Sequence, residues 1–435
     1  MSMTAPVRKV GARLSPLARE WGPVLFLSLL PAMPLLLGSG IVNTRAGGDS
    51  PFLLIRLQQL AVNLRDGIFP VRWMPQAAYG LGYPFFNFYA SLPYYIAALL
   101  KLAGLSYLLS IKFTQALGFV LAGLAMYSLL KQLGRSKLAS LIGSLTYGCA
   151  PFHLVNVYVR GDSLSEFYAF VFYPFILCSF LSLSRLRSLR PLRSTFPTLA
   201  VAALSYAGLM LTHNLSAFIF TPFLLLFISL LLLKGEPGTR LRALFLAAAA
   251  MAGGLLLSAW FWVPALLERY SVSLEDMTTG YFNYAQHFRS TNLVQLRWLF
   301  DYGITAEANP FRMGLVQAIL IVAGVVCIAV RWLRTRRVDF GDAYAVLLLA
   351  LSTWMITPWS SSLWEKLPLL PMVQFPWRFL SVQAVAAGIL ASALVPRRQP
   401  IRWTLALILG AAALASAMGN LRPEPLLIRE EEVTP

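Results

Sequence analysis

The sequence predicts an all-α polytopic membrane protein with about eleven transmembrane helices. Of its 435 residues only 12% are charged and 58% are hydrophobic, and apolar runs of about twenty residues recur along the chain. A soluble domain usually carries about 25% charged residues, so the composition argues against a series of soluble domains. Backbone polar groups in hydrocarbon must be satisfied within their own segment, so apolar runs of this length are helices.

The predicted membrane domain covers residues 21–419 and follows a cytoplasmic tail at residues 1–20. Four basic residues of that tail precede an apolar run beginning at Trp21. The run is long enough to cross a bilayer and no A-x-A site follows it, so we expect an uncleaved span and not a signal peptide. The predicted spans are 22–42, 107–130, 138–158, 167–184, 196–214, 216–233, 243–263, 313–330, 341–357, 379–396 and 403–419.

The distribution of basic residues predicts the orientation. With a cytoplasmic N-terminus, the tail and the loops near 131–137, 185–193, 234–242, 331–342 and 397–402 hold 21 of the 36 Lys and Arg residues but four of the 18 acids. This asymmetry satisfies the positive-inside rule. Nearly all of the net charge of +18 therefore lies on the predicted cytoplasmic segments and indicates the orientation of the chain. Nucleic acid is not an expected partner.

Residues 84–101 are the ambiguous segment of this layout. If they crossed the membrane, three basic loops would face outward, so we expect an interfacial helix whose aromatic side chains lie in the headgroup layer. The long external loops are then 43–106 and 264–312. The external tail, residues 420–435, has a charge run and is predicted to be disordered.

The first external loop contains the carboxylate of Asp49, just before a helix-start signal. Ser50 would cap that helix and Pro51 would occupy its first position. One interpretation is that Asp49 also helps to cap an interfacial helix. The other is that it is a functional carboxylate at the membrane surface, beside a lipid-borne substrate.

A second acidic site is predicted in the short external segment around residues 159–166. Asp162 and Glu166 are four positions apart, so a helix would place them on one face, where two carboxylates could bind a divalent cation. Alternatively, Ser163 and Glu166 match a capping box. The two interpretations are compatible, because a cap would also hold Asp162 in place.

Basic and polar residues at the outer ends of spans are the candidate substrate contacts. Arg160 and Arg378 could bind phosphate bidentately, although an arginine at such a place can also extend to a lipid headgroup. Gln374 belongs to the same stretch as Arg378. His213 ends the fifth predicted span, where a packed, hydrogen-bonded histidine is the alternative to a functional one.

Three stretches together resemble a known family. The stretches are GDSPFLLIRLQQL, LTYGCAPFHLVNVYVRGDSLSEFYAF and QFPWRFL. Together they are similar to the GT-C superfamily of integral-membrane glycosyltransferases, and most similar to bacterial "6-pyruvoyl-tetrahydropterin synthase-related" membrane-domain proteins. The resemblance covers roughly residues 20–395. Related proteins often carry a large external domain after the last spans, whereas this sequence ends at Pro435, so we expect a short member or part of a longer chain.

The resemblance implies roles for the matching positions. Asp49 corresponds to the first-loop acid that activates the acceptor, and Asp162 and Glu166 correspond to second-loop acids that join a metal site in some members. We therefore expect Asp49, Asp162 and Glu166 to be catalytic and to be candidate ligands of Mg²⁺ or Mn²⁺. Arg160, Arg378, Gln374 and His213 are the expected substrate-binding residues.

The expected function is transfer of a sugar from a polyprenyl-phosphate-linked donor to a glycan, lipid or protein acceptor on the outer face of the cell (inner) membrane. Single displacement with inversion is what the resemblance suggests. A transporter or flippase of lipid-linked glycans is one alternative, and it predicts charged residues near the bilayer midplane. A non-catalytic membrane assembly protein of the same fold is the other, and it predicts that Asp49 lies far from Asp162 and Glu166.

Overall fold

The computed structural model describes residues 16–45, 50–186, 192–273, 276, 278–305 and 309–433. In this part of the chain the fold is helical, with two short pairs of strands. The helices are α1 Pro16–Leu29, α2 Met33–Leu37, α3 Ser50–Arg65, α4 Phe85–Phe88, α5 Leu92–Leu102, α6 Tyr107–Gln132, α7 Lys137–Gly148, α8 Pro151–Tyr158, α9 Leu164–Ser184, α10 Leu192–Thr212, α11 Asn214–Lys234, α12 Pro237–Leu257, α13 Ala259–Leu267, α14 Leu315–Thr335, α15 Phe340–Ile356, α16 Ser361–Lys366, α17 Leu380–Ala393 and α18 Arg402–Met418. The strands are β1 Ile41–Val42, β2 Val294–Gln295, β3 Met313–Gly314 and β4 Pro425–Leu426.

Among the described residues, seven helices are long and apolar enough to cross a membrane. Two bent helix pairs raise the number to nine if each pair is one span: α7 with α8 at 42°, and α15 with the helical segment Pro358–Lys366 at 88°. The predicted count of eleven is therefore not confirmed. The other two predicted spans, 379–396 and 403–419, correspond to helices of 14 and 17 residues. Helices of that length rise about 21 and 26 Å, which is short of the roughly 30 Å hydrocarbon thickness.

Residues 84–101 do not form one long helix. The short helix α4 is followed by the eleven-residue helix α5, which packs on α3 and α6. Pro93 stands near the start of α5 and Gly104, with φ +105°, follows its end. Because α5 rises only about 16 Å, it is too short to span a bilayer.

Helix α17 lies at the centre of the bundle and packs on α7, α14 and α15. Glycines make this close packing possible. A Cβ atom on Gly388 would lie 2.8 Å from the carbonyl oxygen of Gly143 on α7, and a Cβ on Gly324 of α14 would lie 2.7 Å from the oxygen of Leu390. Small residues let helix backbones approach in this way within membranes.

The segments predicted to be external meet at one end of the bundle, which we call the loop end. It comprises the described residues of 43–106, 159–166, 264–312, 358–378 and 420–433. The backbone nitrogen of Arg45 donates to the oxygen of Val159 at 2.9 Å, and the amide of Asn87 donates to Glu268 at 2.8 Å.

The segments predicted to be cytoplasmic meet at the other end, the basic end. It comprises the described residues of 16–20, 131–137, 185–186, 234–242, 331–342 and 397–402. Arg185 donates to the carbonyl of Gln132 and Arg397 donates to that of Gly134, both at 2.6 Å. Helix α6 runs from one end to the other, so the two ends lie about 39 Å apart.

Residues 420–433 contact the first external loop, although the sequence analysis predicted a disordered tail. Strand β4 pairs antiparallel with β1, with Leu426 opposite Ile41. The Glu430 carboxylate accepts from the backbone nitrogen of Tyr107 at 2.7 Å and lies 3.4 Å from the Lys101 ammonium. Glu430, one of the three consecutive acids that suggested a solvated tail, thus has partners far away in the sequence.

Candidate functional site

The site lies at the loop end and begins with the turn between α8 and α9. The backbone nitrogen of Arg160 donates to Val155 at 2.8 Å, and that of Ser163 donates to Arg160 at 2.7 Å. This turn brings the Arg160 guanidinium to 2.7 Å from the Glu166 carboxylate and 2.9 Å from the Asn156 amide oxygen. Because Glu166 is directed to Arg160 and Ser163 makes no side-chain cap, the alternative capping box does not form.

Arg378 joins the same carboxylate from the segment that precedes α17. Its Nε atom lies 3.4 Å from Glu166 Oε2, the oxygen that Arg160 also contacts. Glu166 is 3% exposed and Arg378 is 7% exposed, so Arg378 does not extend to a lipid headgroup. Two guanidiniums thus contact one carboxylate in a site shielded from solvent.

A strained turn holds Arg378 in place. Gln374 has φ +65° and ψ −47°, and the nitrogen of Phe375 donates to the oxygen of Val373 at 2.7 Å, which together define a classic γ-turn. Arg378 Nη1 donates to that same Val373 oxygen at 2.7 Å. Gln374 itself is buried at this turn, four positions before Arg378.

Aromatic rings cover the two guanidiniums. Arg160 lies 5.3 Å from the ring centre of Trp377, and Arg378 lies 5.2 Å from that of Phe375. These two rings stack on each other at 4.7 Å. Contacts of a guanidinium with aromatic rings restrict its orientation and keep water away from it.

His213 begins helix α11 near this cluster. Its Nδ1 accepts from the backbone nitrogen of Ser216 at 3.2 Å, so the ring acts as the N-cap. Burial lowers the pKa of His213 to about 3, and the charges of Glu166 and the two arginines also act on it. The imidazole is therefore neutral at physiological pH and hydrogen-bonded as the alternative interpretation expected.

Asp162 lies near a second set of groups, supplied by the first external loop. Arg56 of α3 donates to the hydroxyl of Tyr94 at 3.4 Å and lies over the ring of Phe85 at 4.4 Å. Burial acts to lower the pKa of Arg56, but the phenols of Tyr94 and Tyr89 and the Asp162 carboxylate raise it above its ordinary value. Burial also acts to lower the pKa of Arg160, but the Glu166 carboxylate and, after it, that of Asp162 raise it. The charge of Asp162 thus acts on cations of two loops.

Ser50 does not cap α3. Its hydroxyl donates to the Thr44 hydroxyl at 2.7 Å and accepts from the Thr44 backbone nitrogen, which ties the first span to α3. Asp49, the predicted first-loop acid, lies outside the described residues.

The family model described as "6-pyruvoyl-tetrahydropterin synthase related domain; membrane protein" matches residues 86–421. The chain belongs to this family. A relative of this family member in Lactococcus lactis subsp. cremoris (strain MG1363), an uncharacterized protein, is 25% identical over 280 residues, which are 63% of this chain and 44% of the relative.

Three solved structures share the fold of this family member. The apo oligosaccharyltransferase of Archaeoglobus fulgidus has a TM-score of 0.54 at 14% identity, covering 94% of this chain and 57% of that one. Arabinofuranosyltransferase AftD from Mycobacteria has a TM-score of 0.54 at 16% identity, covering 95% and 29%. ArnT from Cupriavidus metallidurans, bound to undecaprenyl phosphate, has a TM-score of 0.54 at 14% identity, covering 93% and 64%. The fold is therefore GT-C-like, and the chain spans less than two thirds of the length of each of these proteins.

A divalent cation does not fit Glu166 as the structure places it. The carboxylate is already compensated by two guanidiniums, whose positive charges oppose a cation. In the described part of the chain, no three His, Cys, Asp or Glu side chains gather as a metal site. The predicted ligand set includes Asp49, so the set as a whole stays a prediction.

Two residues of the site were missed by the sequence analysis. Arg56 reads as one polar position in an amphipathic helix, and Asn156 reads as one polar residue in an apolar span. The sequence does carry one signal for Arg56, because an arginine is unusual on an apolar face. Its partners on α4 and α5 became evident only once those helices were placed against α3.

Proposed function

We propose that this protein is a membrane glycosyltransferase that moves a sugar from a polyprenyl-phosphate-linked donor to an acceptor at the outer face of the cell membrane. The observation that carries the proposal is the pair of buried guanidiniums, Arg160 and Arg378, sharing the single carboxylate of Glu166. Together with Arg56, these guanidiniums exceed the carboxylates of Glu166 and Asp162 by one positive charge, which favours a phosphate group.

The position of the site supports the external face. The segments that meet at the loop end are those that the positive-inside rule assigns to the outside, and those of the basic end are the ones assigned to the cytoplasm. Hydrogen bonds and ion pairs join segments of the same assigned side, such as Arg45 with Glu424 at one end and Lys137 with Glu20 at the other. A donor with its prenyl chain in the bilayer would present its phosphate at this level.

In the proposed reaction, the sugar C1–O bond to the donor phosphate breaks and a C1–O bond to the acceptor forms. The bonding electrons leave with the polyprenyl phosphate, whose added charge Arg160 and Arg378 would stabilise. Asp49 and Asp162 are the proposed candidates for the base that takes the acceptor hydroxyl proton. We assign Glu166 a positioning role, because both guanidiniums use it as their anchor, and no step is assigned to a metal.

The similar structures support the same proposal. ArnT was solved with undecaprenyl phosphate, and an Archaeoglobus fulgidus oligosaccharyltransferase with a tethered acceptor peptide. The buried charged residues described here lie near helix ends, including Lys112 six positions into α6 and Asp342 three into α15. A transport path would place charges deeper, so this distribution favours the transferase over the transporter.

Sugar transfer from polyprenyl-phosphate-linked donors, measured with purified protein in nanodiscs, tests the proposal. We expect Arg378→Gln to lower turnover about a hundredfold, the usual effect of removing one electrostatic contact to a transition state. Asp49→Asn and Asp162→Asn should each lower it as well. Arg297→Gln removes an exposed arginine of the loop end and serves as the matched control.

Full turnover in both Asp49→Asn and Asp162→Asn would show that the site assignment is wrong. A wild-type protein that transfers no sugar but moves lipid-linked glycan across liposome membranes would identify it as a flippase. Neither activity, in protein that binds partner subunits, would favour the assembly role.

A further inference from the structure

A cavity lined by charged residues lies at the basic end, remote from the proposed active site. Its volume is about 310 Å³, and it opens between the ends of α9, α11 and α12 and the start of α15. Four cations line it: Arg185, Lys234, Arg240 and Arg397. The proposed function does not use any of them.

These four cations have no acidic partner in the described part of the chain. Among the described residues, none of the four has a carboxylate within ion-pair distance, whereas Lys131, Arg135, Lys137 and Arg331 of the same end all do. The acid in the cavity lining, Asp339, lies 3.7 Å from Arg331. The cavity therefore carries a positive charge that the protein leaves uncompensated.

Backbone carbonyls hold three of the guanidiniums in place. Arg185 donates to Gln132 at 2.6 Å, Arg397 donates to Gly134 at 2.6 Å, and Arg240 donates to Gly235 at 3.0 Å. The Lys234 ammonium lies 5.7 Å from the ring centre of Phe340. Cations fixed by carbonyls and a ring, and not by acids, are pre-organised for an external anion.

Most of the remaining lining is apolar and continues along the helices. Ile228 and Leu231 of α11 and Ala243 and Ala247 of α12 form this part. A free anion would gain nothing from such a wall, whereas a lipid could place its headgroup among the cations and its acyl chains along the helices.

We propose that this cavity binds the phosphate headgroup of an anionic phospholipid from the leaflet at the basic end. Basic pockets between transmembrane helices recognise such headgroups by charge. This inference does not depend on the proposed glycosyl transfer, and it adds a lipid site about a membrane thickness away from the catalytic one.

Native mass spectrometry of the full-length protein in mixed micelles tests this proposal, with phosphatidylglycerol and phosphatidylcholine of the same acyl chains as probes. We expect preferential retention of phosphatidylglycerol, and about a fivefold loss of its affinity for each cation removed in Lys234→Gln and Arg240→Gln. Arg334→Gln is the matched control, because Arg334 is an exposed cation of the same end outside the cavity.

Equal retention of both lipids, or an equal loss of phosphatidylglycerol in Lys234→Gln and Arg334→Gln, would overturn the proposal. Inorganic phosphate is the third probe. If it displaces the lipid at millimolar concentration from the wild type, the site is one for free phosphate and the lipid assignment fails. Circular dichroism of each variant shows that the lost binding is not lost folding.

Discussion

The Nε atom of Arg378 lies 3.4 Å from Oε2 of Glu166, although the two residues come from different halves of the chain. Arg160 reaches the same oxygen at 2.7 Å from the adjacent turn. One carboxylate thus connects the start of α9 with the segment before α17. This connection makes the site a tertiary arrangement that no single segment of sequence contains.

Glu166→Gln should destabilise the protein strongly. The amide removes the charge that compensates two buried guanidiniums, and breaking a buried ion pair usually costs about 3–5 kcal/mol. We expect a lower midpoint in thermal unfolding followed by tryptophan fluorescence. Glu365→Gln, at an exposed acid of the same end in α16, should leave the midpoint unchanged. An unaltered midpoint for Glu166→Gln would show that the carboxylate does not hold the arginines together.

Gln374→Gly should be more stable than Gln374→Ala by about 1 kcal/mol. Both variants lose the side chain, but only glycine relieves the positive φ of the γ-turn, a strain of roughly 1–3 kcal/mol partly offset by the entropy of glycine. Chemical denaturation of the two variants measures the difference. Equal stabilities, or a more stable alanine variant, would contradict the strained turn.

His213→Asn should keep the fold, whereas His213→Leu should lose about 1 kcal/mol of stability, because asparagine can replace the N-cap of α11 and leucine cannot. The pKa of His213 is lowered to about 3, so the ring is neutral above about pH 4 and gains a proton only below it. The pH profile of turnover should therefore be the same for wild type and His213→Asn between pH 5 and 8. A titration near pH 6.5 that disappears in the variant would contradict this assignment.

Gly388→Ala should cost about 1–3 kcal/mol, the usual effect of overpacking a core. The added methyl group would lie 2.8 Å from the carbonyl oxygen of Gly143, so α17 and α7 must separate. Gly22→Ala is the control, because a methyl group there meets nothing within 4 Å. Thermal unfolding of both variants makes the comparison, and equal midpoints would show that the helices do not pack as described.

Much of the fold could be predicted because membrane insertion leaves a strong compositional record. Apolar length indicated where helices lie, and the placement of Lys and Arg indicated which loops meet at each end. The number of spans was harder to predict, because a helix buried inside the bundle and a helix facing lipid have the same apolar composition. Helix α17, whose 14 residues are almost all buried within the protein, illustrates this ambiguity.

The residues of the site could be predicted from the sequence, but the contacts between them could not. Arg160, Glu166 and Arg378 were identifiable as polar residues at span ends, but their shared contact depends on how α9 and α17 pack. The same holds for Glu430, which reads as part of a solvated acidic run until Lys101 and the backbone of Tyr107 are placed beside it. A local sequence pattern indicates how exposed a segment is on average. It does not indicate which residue, far away in the sequence, a given side chain contacts.

The pairing of β1 with β4 has a consequence for biosynthesis. The strand that follows the first span acquires its partner only when residues 425 and 426 have been synthesised. During insertion of the chain from its N-terminus onward, β1 therefore stays unpaired until the intervening spans have been inserted. A chain truncated before residue 425 would leave β1 without this partner.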